Sequence, residues 1–93
     1  MASASVVDLL RDGRLALETA RWDDARACFE ESLAERETPE AFDGLGQALW
    51  FLSLVEDGIA ARARAFEGYA RERRCDDAAR VAVWVSHQYF ISG

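Results

Sequence analysis

The sequence predicts an all-α chain of five helices folded as stacked antiparallel hairpins. Three observations carry that prediction. Apolar residues recur at helical spacing along the whole chain. The single proline, Pro39, stands where a helix begins, and no alternating run bounded by turn signals suggests a strand. A set of small and large residues also returns at a fixed interval along the chain, which favours stacked hairpins over a closed bundle.

The elements follow in order. The first helix runs from about Ser5 to Ala20, with Ser5 as N-cap and Asp8 three residues on. Its apolar stripe is Val6, Leu9, Leu10, Gly13, Ala16 and Leu17. Arg21-Trp22-Asp23-Asp24 makes a short turn. The second helix, from about Asp23 to Glu35, buries Ala25, Cys28 or Phe29, Ser32 and Leu33. Thr38 caps the third helix with Pro39 at its first position. Its stripe is Phe42, Leu45, Gly46, Leu49 and Leu52. The fourth runs from about Glu56 to Arg73 with Ile59, Ala63, Phe66 and Tyr69 inward. Cys75-Asp76-Asp77 opens the fifth, which reaches about Ile91 and carries Val81, Ala82, Val85, Tyr89 and Phe90. Loops of a few residues between such helices make neighbours antiparallel.

Bulk properties narrow the function classes. Ninety-three residues, 51% hydrophobic and 30% charged, make one globular domain spanning 1–93. A chain of this size buries roughly 60–70% of its extended surface, enough for one modest core. No run approaches the ~20 apolar residues of a membrane helix, and the first residues form no secretory leader. Cys28 and Cys75 belong to no CxxC pair, so a reduced, cytoplasmic protein without zinc is expected. All 11 basic side chains are Arg, which with the abundant Ala suggests a GC-rich bacterial genome. The net charge of -6 disfavours nucleic acid. Arg62, Arg64, Arg71, Arg73 and Arg74 read as a solvated helix face paired with Glu67, Glu72 and nearby acids, with an acidic partner as the alternative.

Gly13, Ala25 and Leu33 recur in the same relative places as Gly46, Gly58 and Phe66. Leu45-Gly46-x-x-Leu49-Trp50 recurs, at a somewhat longer interval, as Val85-Ser86-x-x-Tyr89-Phe90. Small residues let the helices of one hairpin approach, and Phe29, Leu33 and Phe66 fill the seam to the next hairpin. On these residues the chain resembles the tetratricopeptide repeat (TPR) family, with about 2.5 repeats: about 6–38, about 39–72, and a half repeat at about 77–92. It departs from that pattern at Asp12, Ser32 and Arg62, the last where an aromatic residue is usual. Three stretches carry a nearer likeness. They are Gly13-Arg14-Leu15-Ala16-Leu17 with Trp22-x-x-Ala25-Arg26-x-x-Phe29-Glu30, then Thr38 to Trp50, then Ala78-Ala79-Arg80-Val81-Ala82-x-Trp84. In that order they resemble the N-terminal repeat region of bacterial LuxR-type transcription regulators. The resemblance implies a regulatory or protein-interaction segment.

In the resembling fold, Arg14, Leu17, Gln47, Trp50 and His87 face a concave groove that takes peptides, where Arg14 is placed to hold a carboxylate. The alternative is that Trp50 and Phe90 only pack, with Arg14, Gln47 and His87 as solvated neighbours. Catalysis is not expected. His87 is the only histidine, and its neighbour Ser86 points about 100° away on a helix. Asp23-Asp24 and Asp76-Asp77 read as acids that cap free N–H groups at a helix start and oppose its dipole rather than form metal or acid–base pairs. Gly44-x-Gly46 lies mid-helix and is no phosphate loop, so no cofactor or metal is expected. The last helix presents Trp84, Tyr89, Phe90 and Ile91, more apolar surface than one hairpin covers. Either chain beyond Gly93 or a second copy covers it, and the leading expectation is a self-associating homodimer. A peptide-binding adaptor using the groove is the alternative.

Overall fold

The computed structural model describes residues 5–92, with side chains as far as His87. The described residues form five helices and no strand: α1 (Val6–Glu18), α2 (Trp22–Glu35), α3 (Pro39–Phe51), α4 (Val55–Arg71) and α5 (Cys75–Ser92). Ser5 caps α1 by accepting from the Asp8 amide at 3.1 Å. Thr38 caps α3 by accepting from the Ala41 amide at 3.2 Å, and Pro39 opens that helix. In each case a side-chain oxygen takes one of the amides a helix start leaves unpaired. No side chain caps α2, where Asp23 and Asp24 sit in the first turn and act on the dipole alone.

Helices α1, α3 and α4 end the same way. Ala20, Ser53 and Arg73 adopt positive φ of 60°, 66° and 59°. The amide after each returns to a carbonyl five residues back: Arg21 to Ala16 at 2.8 Å, Leu54 to Leu49 at 2.9 Å, Arg74 to Tyr69 at 2.8 Å. This is the Schellman closure without its usual glycine. Ala20 and Ser53 are separated by the same interval as Gly13 and Gly46. So are the starts of α1 and α3, Val6 and Pro39, and those of α2 and α4, Trp22 and Val55. The repeat seen in sequence is therefore also a repeat of helix starts and turns.

Each helix packs on its neighbour in sequence, and α1 also meets α3. Among the described residues α1 has no comparable contact with α4 or α5. That is a stack of hairpins rather than a closed bundle, with extents of 46 × 30 × 19 Å. One core cluster joins α1, α2 and α3 through Leu10, Ala16, Ala25, Phe29, Ala41 and Ala48. A second joins α4 and α5 through Ala65, Tyr69, Ala78 and Val81, with Phe42 of α3 against it. No described helix is long and apolar enough to cross a membrane.

The stripe of α1 is as expected, and on α2 it is Phe29 that is buried while Cys28 is half-buried. Helix α4 corrects the expectation. Phe66 is 40% exposed and Ala63 only half-buried, whereas Ala61, Arg62, Ala65 and Tyr69 are buried. The helix is turned so that Arg62 faces α3, which is possible because an acid waits there for its charge.

Candidate functional site

That acid is Asp43, 5% exposed on α3. A carboxylate so buried requires charged or hydrogen-bonding partners. Its Oδ2 accepts from the Tyr69 hydroxyl at 3.1 Å and from Arg80 Nη2 at 2.9 Å. Its Oδ1 lies 3.1 Å from Arg62 Nε and accepts from the Gln47 amide at the long distance of 3.5 Å. Three helices thus converge on one carboxylate. Arg62 Nε is buried without a hydrogen bond, so its N–H is not aimed at Oδ1 and the contact is ionic.

Two features position Arg62. A Cβ at Gly46 would stand 2.4 Å from Arg62 Cγ, so the glycine is what makes room for the stem. The guanidinium carbon lies 4.2 Å from the centroid of the Trp84 ring, a cation–π contact. Trp84 in turn meets Trp50 edge-on, with centroids 5.6 Å apart and planes at 79°. Burial lowers the Arg62 pKa from its ordinary value, opposed by the Asp43 charge. Its hydrogen bond to Asp43 pushes Arg80 up. Burial, then the charge of Asp43, pushes the Tyr69 hydroxyl up, so it stays a neutral donor.

A second knot sits beside this one. Arg74 donates to Glu40 at 2.7 Å and to Asp77 at 3.1 Å, and its guanidinium lies 4.6 Å from the Tyr69 ring. Arg62 and Arg74 therefore leave the solvated arginine face on which the sequence placed them. Arg62 is buried in an ion pair and Arg74 is half-buried. Arg64, Arg71 and Arg73 do stand exposed at the surface.

Above Arg62 a cleft of about 630 Å³ opens between α3 and α5. Helix α3 contributes Gln47, Trp50 and Phe51; α5 contributes Arg80, Val83, Trp84 and His87. Gln47, Trp50 and His87, singled out in the sequence, thus share one cleft. Arg14 and Leu17 line an adjoining hollow of about 280 Å³ that also includes Gln47 and Asp43. Arg14 is exposed, and its Nε donates to the Leu10 carbonyl of its own helix at 3.4 Å. Trp84, expected to associate copies, is half-buried against Trp50 and Arg62. The side chains of Tyr89, Phe90 and Ile91 lie outside the described residues.

The chain matches no family model, no curated protein and no solved structure. Among the described residues no three His, Cys, Asp or Glu side chains gather as a metal set. Cys28 is half-buried, its thiol pKa raised first by burial and then by nearby acids, which makes it a poor nucleophile.

Sequence reasoning missed Asp43, Arg62, Tyr69, Arg80 and Phe51. Phe51 forms the rim of the cleft and stacks on Trp22 with centroids 4.1 Å apart. One signal for the charged pair was present. Asp43 lies three residues before Gly46, on the face of α3 that meets α4, and Arg62 is the repeat counterpart of Phe29.

Proposed function

We propose that the chain is a non-catalytic protein-interaction module of tetratricopeptide type, which holds a segment of a partner in the cleft between α3 and α5. The observation that carries this reading is that cleft, where Gln47, Trp50, Trp84 and His87 converge beside Arg62 and Arg80. Aromatic and arginine side chains are the residue types that dominate binding energy at protein interfaces. Here they are held in place by a buried ionic centre rather than by a mobile loop. The regulatory role implied by the likeness to LuxR-type regulators belongs to the same reading. Trp50→Ala should abolish capture of peptides selected from a random library while the mass by light scattering stays unchanged. Capture undiminished by Trp50→Ala would contradict it.

Self-association through α5 is a second reading. It is supported by Val83, 69% exposed, and by a shallow apolar groove where Phe66, 40% exposed, meets Ala63, Ala82 and Val85. It predicts a dimer by light scattering that Phe90→Glu converts to a monomer.

A further inference from the structure

We propose that the α3–α5 cleft selects an acidic protein segment, whose carboxylate pairs with Arg80 and Arg62 while a neighbouring aromatic or aliphatic side chain packs on Trp50 and Trp84. This rests on the reading of the cleft as the interaction site and names the chemistry of its occupant.

The first argument is charge. The cleft lining carries two guanidinium groups and one imidazole and no carboxylate, on a chain whose net charge is -6. Asp43, the counter-ion of both arginines, lies beneath the surface and does not line the cleft. Asp77, 3.4 Å from Arg80, belongs to the adjoining hollow. Arg62 and Arg80 are opposed by Asp43 and Asp77, but both acids lie behind the lining, so the local excess of positive charge is confined to the face the cleft presents. A short acidic segment meets that local excess, whereas a long polyphosphate meets the negative remainder of the molecule.

The second argument is hydrogen bonding. Arg62 has five N–H donors and, among the described residues, none is in a hydrogen bond; its Nε is buried without one. A neutral apolar occupant would seal the terminal Nη donors away from water and leave them unpaired, which is unfavourable. A carboxylate satisfies them in the paired geometry that guanidinium suits. Arg62 is already fixed by Gly46 below, Asp43 beside it and the Trp84 ring against it, so little freedom remains to be lost on binding. Arg80, with a half-exposed side chain, is the reaching partner.

The test is to pan a random displayed-peptide library against the whole chain and titrate the selected peptides by fluorescence anisotropy. Selected peptides should carry Asp or Glu beside an aromatic or aliphatic residue. Changing that acid to its amide should weaken binding by about tenfold or more, and added salt should weaken the acidic form alone. Arg80→Gln should weaken the acidic peptide by a similar factor and leave its amide counterpart unaffected. The peptide-side change leaves the protein untouched, so this part stands whether or not a protein variant folds. Acid-free selected peptides, or equal binding of acid and amide, would overturn the charge selection. If acid-free peptides still lost binding on Trp50→Ala, the cleft would survive as the interaction site and only the acidic preference would fall. Peptides indifferent to Trp50→Ala, or a library yielding none, would overturn both.

Discussion

The two seams of this molecule use one slot in opposite ways. Phe29 and Arg62 occupy the same position in successive repeats. Phe29 is 1% exposed and sends its ring between α1 and α3, against two glycines. A Cβ at Gly13 or Gly44 would stand 2.7 or 2.2 Å from that ring. In the second seam Gly46 replaces Gly13, but Trp84 stands where the first seam has Gly44. The aromatic ring thus comes from the following helix, and the slot is filled by a cation stacked on it. The consequence reaches the backbone. Helices α1 and α3 pack directly, whereas α3 and α5 are joined chiefly by side chains: Asp43 to Arg80, Trp50 to Trp84, Glu40 to Arg74. An aromatic plug closes a seam, and a stacked ion pair leaves it open as a cleft. Both sides of the comparison can be broken by substitution.

The largest effect is expected from Asp43→Ala, which strands Arg62 as a buried, unpaired charge. The cost should be about 3–5 kcal/mol in urea unfolding. Phe29→Ala should cost a similar amount, roughly 3–5 kcal/mol, through a cavity instead. The two differ in rescue. Adding Arg62→Met to Asp43→Ala should recover most of the loss, because an apolar pair of suitable volume replaces a buried ion pair at little cost. A strictly additive double variant would show that the two charges are not coupled.

Tyr69→Phe removes a donor to the buried carboxylate and should cost about 1.5–3 kcal/mol at neutral pH. It should also change the pH dependence. The folded protein holds the Tyr69 proton above its ordinary value of 10.0. Its contribution is therefore full below that pH and is lost as pH rises above it. Urea midpoints followed from about pH 9 to 11 should fall less in Tyr69→Phe than in the parent. Parallel curves would contradict the burial of the Tyr69 hydroxyl beside the Asp43 charge.

Gly44→Ala forces a methyl group onto the rigid Phe29 ring and should cost about 1–3 kcal/mol by thermal unfolding. The smallest effects fall where the two repeats are alike. Ala20→Gly and Ser53→Gly both relieve a positive φ at equivalent turns. Each should stabilise by about 0.5–1 kcal/mol, since the strain relieved exceeds the added chain entropy. Unequal gains would show that the two turns are not equivalent.

The architecture was legible because its signals are local. Helical spacing, Thr38 before Pro39 and Ser5 before Asp8 each act within a turn or two, and the sequence repeat matches helix starts and turns in space. The cleft was legible in part: Gln47, Trp50 and His87 were singled out together and do share it, while Arg14 lies in the next hollow. What escaped was the ionic centre. Arg62 reads as a surface residue because a charge is ordinarily solvated, and nothing adjacent to it in sequence suggests otherwise. Its burial depends on Asp43 and Gly46 in another helix and on Trp84 in a third. The same pairing turned α4 and left Phe66 half in solvent, which no count of apolar spacing on α4 alone predicts.

The most direct test of the open second seam as the working surface uses the three tryptophans as reporters. Trp50 and Trp84 line the cleft; Trp22 lies outside it, stacked on Phe51 at the rim. Titrating ¹⁵N-labelled protein with a library-selected acidic peptide should shift the indole N–H signals of Trp50 and Trp84 most, with a smaller movement of Trp22. Binding that leaves the Trp50 and Trp84 signals in place while amides on other helices move would place the partner elsewhere and contradict the account.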